Sequence, residues 1–405
     1  WFLPLSLDKP SITFFKDEWN RTLNEVFPGK NISNHQITES EAPFYYFQQS
    51  SAIFGEENTI SIDIGGGSTD VSFFMNGNPV FFTSFNFAGN TLWTNGYNGA
   101  QATNNLTLHF GELRNDTAMT SGLKNKQKLN QMYNAAVQDI EPGSTVELMN
   151  FFFAWDKHIN FTKNFQQDEK IRFLFLFHYS AVLFHVYRMC RLQGLEFPRH
   201  LCHSGNGSKI LHTLDASPKK DALRDFVIAF LRNIDPAYSV HNNFSKLTFN
   251  VANNEKEITC NGGIYYLRSN KKTTSDVKQS MFMLTPNRFI TVEDVFKMDS
   301  IDKTIRTEIV GEVKSFLSVF TETVTKFNMG FQFSINIDHI KHFLADPKIN
   351  IFELTPDLED NIYDALDKGL TRKSMHSGSQ QQLTETPFFF PLVQMIYELS
   401  NELYK

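Results

Sequence analysis

An α/β fold with an added, mainly helical C-terminal region follows from three features of this 405-residue sequence. Thr59-Ile60-Ser61-Ile62-Asp63-Ile64 is a β-branched run that stops at three glycines, as a strand entering a tight loop does. Asn76-Gly77-Asn78 is a hairpin turn signal between two apolar runs. Past residue 300, Ile305, Ile309, Val313, Phe316, Phe320 and Phe327 form one face of a long amphipathic helix. The length calls for two or three domains or subdomains.

Taken in order, the first 40 residues mix polar and aromatic positions around Pro10 and the Pro28-Gly29 turn, with a helix expected over Lys16 to Val26. Glu39 to Ser51 reads as a second helix. Strands follow at Thr59 to Ile64, Thr69 to Met75 and Pro79 to Phe85, so the glycines join two antiparallel strands. Asn95 to Lys128 is rich in Asn, Gly, Thr and Lys and reads as loops or a poorly packed insertion. Leu129 to Lys163 alternates helical pieces with turns. A long helix is predicted over Gln167 to Gln193, with Gly194 ending it. Its apolar run, Phe173 to Tyr187, is shorter than the roughly 20 residues of a membrane helix. Arg172 and Arg188 bound that run, which predicts a core helix and no membrane span. The strand Leu201-Cys202-His203 leads into a second glycine turn, Ser204 to Ser208, and a helix from Lys209. Ser269 to Ser280 reads as a linker or exposed loop. Further helices are expected at His339 to Leu344, Leu358 to Leu370 and Pro391 to Leu403, with a mobile tip at Ser374 to Gln382. No internal repeat is evident.

Composition bounds the function classes. A 41% hydrophobic and 20% charged chain is ordinary for a soluble globular protein, and a net charge of −6 gives no basic face for nucleic acid. Cys190, Cys202 and Cys260 are too far apart for a zinc or redox pair. They read as buried free thiols in a reduced, cytoplasmic setting. His109, His178, His185 and His203 sit in apolar segments without ligand spacing and read as core residues.

The most specific signal is Ile62-Asp63-Ile64-Gly65-Gly66-Gly67-Ser68-Thr69-Asp70-Val71. Glycines let backbone approach a ligand closely, and successive bare amides can form a nest for phosphate oxygens. The Ser68 and Thr69 hydroxyls add donors. Asp63, at the strand end, suits a magnesium ion that keeps most of its waters. A bare run of three glycines could equally be a flexible turn; the flanking strands, aspartates and hydroxyls make the pattern specific.

The segment Asp63-Ile-Gly-Gly-Gly-Ser-Thr-Asp-Val-Ser-Phe-Phe resembles the second phosphate loop of the actin, heat-shock chaperone and sugar kinase superfamily, closest in style to bacterial actin homologues and chaperone ATPase domains. The resemblance implies a ribonuclease H-like lobe, a mixed five-stranded sheet flanked by helices, that binds ATP with Mg2+. It implies phosphate contacts at Gly65, Gly66, Gly67, Ser68 and Thr69, and magnesium at Asp63. Leu201-Cys-His-Ser-Gly-Asn-Gly-Ser-Lys-Ile-Leu resembles the family's adenosine loop, about 140 residues after the first, with Gly205, Asn206, Gly207 and Ser208 in the turn. Alone, that turn could be a helix N-cap made by Ser208. Glu41 matches the glutamate that orients attacking water in bacterial actin homologues; Glu39 is a rival, and either could simply complement a helix N-terminus. Gly89, after the hairpin, is a further candidate phosphate contact or a plain turn. Gly262 and Gly263 resemble the small residues of the second connecting helix, where lobes pack closely.

Departures from the family set the organisation expected. No first phosphate loop is found: Asp8 lacks a nearby glycine, and only 62 residues precede Asp63. A fragment of a longer protein and a degenerate fold both explain this, and the intact second loop favours the fragment. Residues 1–58 then hold a remnant of the first lobe and its connecting helix. Residues 59–268 hold the second lobe, with an inserted subdomain over about 95–165, and 281–405 the mainly helical C-terminal region. The resemblance implies an ATP-binding module of a bacterial actin-like or chaperone-like ATPase, acting on a protein partner or through self-assembly, with hydrolysis in the complete protein. The alternatives are a non-catalytic scaffold or filament protein, and a small-molecule kinase or exopolyphosphatase.

Overall fold

The β-branched run at 59–64 forms the central strand of a mixed sheet in the computed structural model. The structure describes residues 1–3, 9–30, 35–50, 57–99, 103–112, 161–236, 246–252, 257–269, 280–291, 296–376 and 382–405, with a few single positions between them. In chain order the strands are β1 (Phe2–Leu3), β2 (Ile37–Thr38), β3 (Thr59–Ile64), β4 (Thr69–Met75), β5 (Asn78–Phe85), β6 (His200–Ser204), β7 (Thr248–Val251), β8 (Met281–Thr285) and β9 (Arg288–Thr291). The helices are α1 (Lys9–Val26), α2 (Ala42–Gln49), α3 (Asn105–Glu112), α4 (Phe161–Phe165), α5 (Glu169–Leu192), α6 (Lys209–Leu214), α7 (Asp221–Ile234) and α8 (Ile258–Arg268). The C-terminal region adds α9 (Lys303–Lys326), α10 (Met329–Phe333), α11 (Ile337–Phe343), α12 (Pro356–His376) and α13 (Phe389–Leu403).

The main sheet has the order β5-β4-β3-β6-β7. β3, β4 and β5 are antiparallel, joined by the glycine loop and by a turn in which Asn76 and Gly77 both take positive φ. That pair of left-handed residues is what a tight hairpin with right-handed twist requires. β6 and β7 run parallel to β3, and parallel neighbours need crossovers. α5 leads into β6, and α6 and α7 lead into β7.

Side-chain alternation gives the sheet two unlike faces. Ile60, Ile62, Ile64, Val71, Phe73 and Leu201 enter a large core that also holds α5, α7 and the C-terminal helices. Phe74 and Cys202 enter a smaller core with Ala42, Phe44, Tyr45, Phe47, Ile258 and Tyr266. There α2 lies against α8, and Phe44 stacks on Phe74 at 3.8 Å between ring centroids. A Cβ on Gly262 would overlap the Ala42 carbonyl, and one on Gly263 would meet the Phe2 ring at 2.7 Å. Gly262 thus lets the helix pair touch backbone to backbone, and Gly263 makes room for the Phe2 ring of β1.

α5 is the spine of the large core. Asp168 caps it by accepting from the amides of Lys170 and Ile171 at 2.8 and 3.3 Å, and Gly194, at φ +67°, ends it. With 24 residues it is long and apolar enough to cross a membrane, so the argument from a short apolar run fails; burial decides, with 94% of its apolar window inside the fold. The two arginines bounding that run reach the C-terminal region: Arg172 donates to the Ser334 carbonyl at 3.1 Å, and Arg188 pairs with buried Glu312 at 2.7 Å.

Several boundaries differ from expectation. α1 begins at Lys9 because Pro10 sits in its first turn, where a missing N–H breaks no helical bond. α2 begins at Ala42, after β2 and a turn, so Glu39 and Glu41 precede it. Ser374 to His376 still belong to α12, and Gln382 bridges to Lys297, so the expected mobile tip is helix and strand bridge at its two ends. Most of 95–165, including the helical pieces expected over 129–163, lies outside the described residues, as do Asp8, 270–279 and the middle of the tip. Cys260 is exposed rather than buried, unlike Cys190 and Cys202.

Candidate functional site

The glycine loop leaves the end of β3 and folds back through a hydrogen bond from the Gly65 amide to the Ser68 carbonyl at 2.8 Å. Gly66 and Gly67 stand exposed at its tip. Their amides meet no acceptor among the described residues, as a nest for an anion requires. The loop also holds its neighbour: the amides of Gly89 and Asn90 donate to the Gly65 and Gly66 carbonyls at 3.1 and 2.8 Å.

The second glycine turn lies directly on the first. Gly205 has φ +82°, and a Cβ there would overlap both the Ile64 carbonyl and the Asp63 carboxylate. A Cβ on Gly207 would come within 2.6 Å of the Gly65 carbonyl. Glycine is therefore required at both positions by backbone packing.

Beside this double layer opens a cavity of about 440 Å3, within the range of small-molecule sites. Its polar wall comes from Gly65, Gly66, Gly89, Asn90, Asn206 and Gly207. Its apolar end is aromatic: Trp93, Phe153, Phe165 and Phe175, with Ile210. Trp93 stacks on Phe165 at 5.9 Å. Lys209 and Thr213, one turn apart on α6, also line it. A flat apolar group with a polar or anionic tail fits such a cleft.

Asp63 does not line this cavity. It faces Asp70 directly across the β3–β4 pair. Its carboxylate accepts from Ser204 Oγ at 2.8 Å. Burial raises its pKa to about 6; the Ser204 bond opposes this, and the charges of Asp70 and Glu39 raise it further. Asp70 is raised as well, mainly by burial, although Ser84 and Ser68 hydrogen bonds oppose the shift. Like charges opposite one another on a sheet repel. A magnesium ion taking one or two carboxylates and keeping its waters fits this pair chemically. An all-protein cage does not, because no group of three or more His, Cys, Asp or Glu is placed to hold a metal among the described residues.

The remaining expected site residues divide. Ser68 is half-buried and its hydroxyl donates to Asp70 at 3.3 Å. Thr69 is buried and donates to the Phe87 carbonyl at 2.7 Å, so its hydroxyl faces the interior, away from any phosphate. Ser208 is buried too; its hydroxyl donates to the Gly205 carbonyl at 2.7 Å and makes no helix cap. Glu41 is the N-cap residue of α2 and accepts from Thr38 Oγ1 at 3.2 Å. Burial raises its pKa, against the Thr38 bonds. The glutamate whose charge acts on Asp63 is Glu39, raised in turn by burial and by Asp70. Asn90, Trp93, Lys209 and Thr213 were not among the expected residues. Of these, Lys209 and Thr213 follow the second glycine turn at helical spacing, the one sign that marks them in the sequence.

No family model matches this chain, and no curated protein does. Among solved structures it is similar to MreB 5 of Spiroplasma citri bound to AMPPNP, at 13% identity and a TM-score of 0.26, over 66% of each chain. It is similar as well to the same protein bound to ADP, at 12% identity and a TM-score of 0.26, over 66% of this chain and 70% of the other. A similarity of that size fixes neither fold nor function, and the reading below stands on the geometry.

His109 is exposed, against the expectation of a core residue; the other three expected core histidines are buried and structural by their contacts. His178 hydrogen-bonds the Ala88 carbonyl at 3.1 Å through Nε2, and His203 meets Tyr179 Oη at 2.7 Å. Burial pushes both pKa values down to about 4 and that of His185 to about 3.

Proposed function

We propose that this chain is the ATP-binding module of an actin-like ATPase. One observation carries the reading: two glycine turns about 140 residues apart in sequence, with Gly89 between them, line a single cavity that ends in aromatic rings. In this reading the aromatic end takes the base, with Asn206, Gly207, Lys209 and Thr213 beside the nucleoside. The amides of Gly66 and Gly67, with Ser68 nearby, take the phosphates. Asp63 and Asp70 hold Mg2+, which when bound would supply positive charge against phosphate oxygens. Glu39 is placed better than Glu41 to act on water near that charge, and Glu41 anchors the turn that carries Glu39. Gly205 and Gly207 let the two loops pack together, while the Thr69 and Ser208 hydroxyls brace the segments that flank them. Hydrolysis in a bacterial cytoplasm, with a protein partner or self-assembly as its output, goes with this reading.

A second reading is a non-catalytic scaffold on the same fold. Its support is specific: loop-on-loop packing alone accounts for Gly205 and Gly207, and the Thr69 and Ser208 hydroxyls have internal acceptors. Calorimetric titration of magnesium-ATP, with Asp63→Ala alongside, separates the two. Binding that weakens in the variant supports the module. No heat with either protein, here and in any longer form of the chain, leaves the scaffold. Turnover that demands an acceptor other than water would instead indicate a small-molecule kinase.

A further inference from the structure

We infer that the C-terminal region positions the inner wall of the cleft, with Glu385 and Gln394 as the positioning residues. This rests on the cleft being a nucleotide site. The wall is the 3-10 turn Gly89–Trp93, which presents Gly89, Asn90, Leu92 and Trp93 to the cavity. Side chains about 300 positions away hold it at both ends. Upstream, the Asn86 amide donates to Glu385 Oε2 at 2.5 Å. Downstream, the Tyr97 amide donates to Gln394 Oε1 at 2.8 Å. Between these two bonds, Phe389 stacks on Phe87 at 4.6 Å, and the Phe87 ring also stacks on His178 at 4.5 Å.

Apolar packing alone could seat α13 against the sheet, but it is non-directional. Two hydrogen-bond acceptors add what packing lacks, a register. Glu385 and Gln394 are 6% and 2% exposed. A buried carboxylate carries a desolvation penalty unless it is paired, and Glu385 has Lys373 and the Asn86 amide. Gly96, at φ +62°, leaves no room for a Cβ because the Gln394 amide fills that space. These features tie one backbone segment to α13 and the residues leading into it, and that segment walls the cleft. A site whose supporting shell is loose by about 1 Å loses function without losing the fold. By linkage, a ligand that orders the wall must tighten the C-terminal region equally.

Four variants test this: Gln394→Leu and Glu385→Leu remove the acceptor, while Glu385→Gln and the exchange Gln394→Glu with Glu398→Gln, which preserves the hydrogen bond between those two side chains, keep one. Amide hydrogen exchange over 86–97 is measured without ligand, and magnesium-ATP affinity is measured by titration. The leucine variants should exchange faster there by about tenfold, with β3 and β4 amides unchanged, and should bind about tenfold more weakly. The acceptor-keeping variants should stay near wild type in both. Unchanged exchange over 86–97 in the leucine variants overturns the inference. Equal damage in all four also overturns it, since the residues would then act as packing only. Failure of wild type to bind magnesium-ATP refutes the nucleotide reading instead, and the exchange data still decide whether the wall is held from the C-terminal side.

Discussion

The cleft and the acidic group near the glycine loop differ in chemistry. One has an aromatic floor and, among the described residues, a single lysine; in the other, burial raises the pKa values of Asp63, Asp70 and Glu39, and the charge of Asp70 raises those of Asp63 and Glu39 further. The apolar side can release water favourably when a flat ligand enters. The ionised carboxylates Asp63 and Asp70, opposite each other on β3 and β4, repel one another. The contrast separates an apolar cleft from a pair of facing carboxylates within one glycine-rich neighbourhood.

The largest expected effect on binding comes from the position where the two glycine turns meet. Gly205→Ala forces an alanine to φ +82° and drives a Cβ into Ile64 and Asp63. It should lower unfolding free energy by about 2–4 kcal/mol in a denaturant titration and remove binding on both sides. Unchanged stability would mean that the loops do not pack as described. Next, Phe175→Ala opens the cleft floor and should cost about 3–5 kcal/mol of stability as a core truncation. Nucleoside affinity should fall with it, while the acid titration of Asp63 stays in place.

Asp63→Asn addresses the other side alone. The folded pKa of Asp63, about 6, lies above the ordinary 3.8. The protonated form is therefore favoured by folding. Its contribution is fully present below pH 3.8 and is lost as pH rises through about 6. After allowance for solvent screening the effect is on the order of 1–2 kcal/mol. The asparagine variant should flatten that decline in thermal melts across pH 4–7, and magnesium should no longer alter its melting temperature. The smallest effect is expected for Glu41→Gln, which keeps an acceptor for Thr38. Its turnover should change less than that of Glu39→Gln, and the reverse order would restore Glu41 as the water-orienting group.

Local physics made much of this legible. β3, β4 and β5 were readable because alternation, three glycines and an Asn-Gly turn all act within about 30 residues. The meeting of the two glycine turns was readable only through family resemblance; no local preference links Gly65 to Gly207. Hydroxyl directions were not readable. Thr69 pairs with Ile64 and Phe85 in the sheet, and strand alternation turned its side chain inward to Phe87. Ser208 likewise satisfied a carbonyl of its own turn instead of capping α6. The preference for Glu39 arose because α2 begins at Ala42, three residues later than helical spacing suggested. The grip of α13 on the cleft wall left one sign, a glutamine at 394 inside the apolar run from Phe388 to Ile396.

Most helix pairs are separated by a layer of side chains that can change rotamer and so absorb a small shift. Between α2 and α8 that layer is missing where Gly262 meets Ala42. With no compliant material at the crossing, a displacement of one helix must pass undiminished to the other. The turn bearing Glu39 and Glu41 runs straight into α2, so its distance from the glycine loop is geared to whatever moves α8.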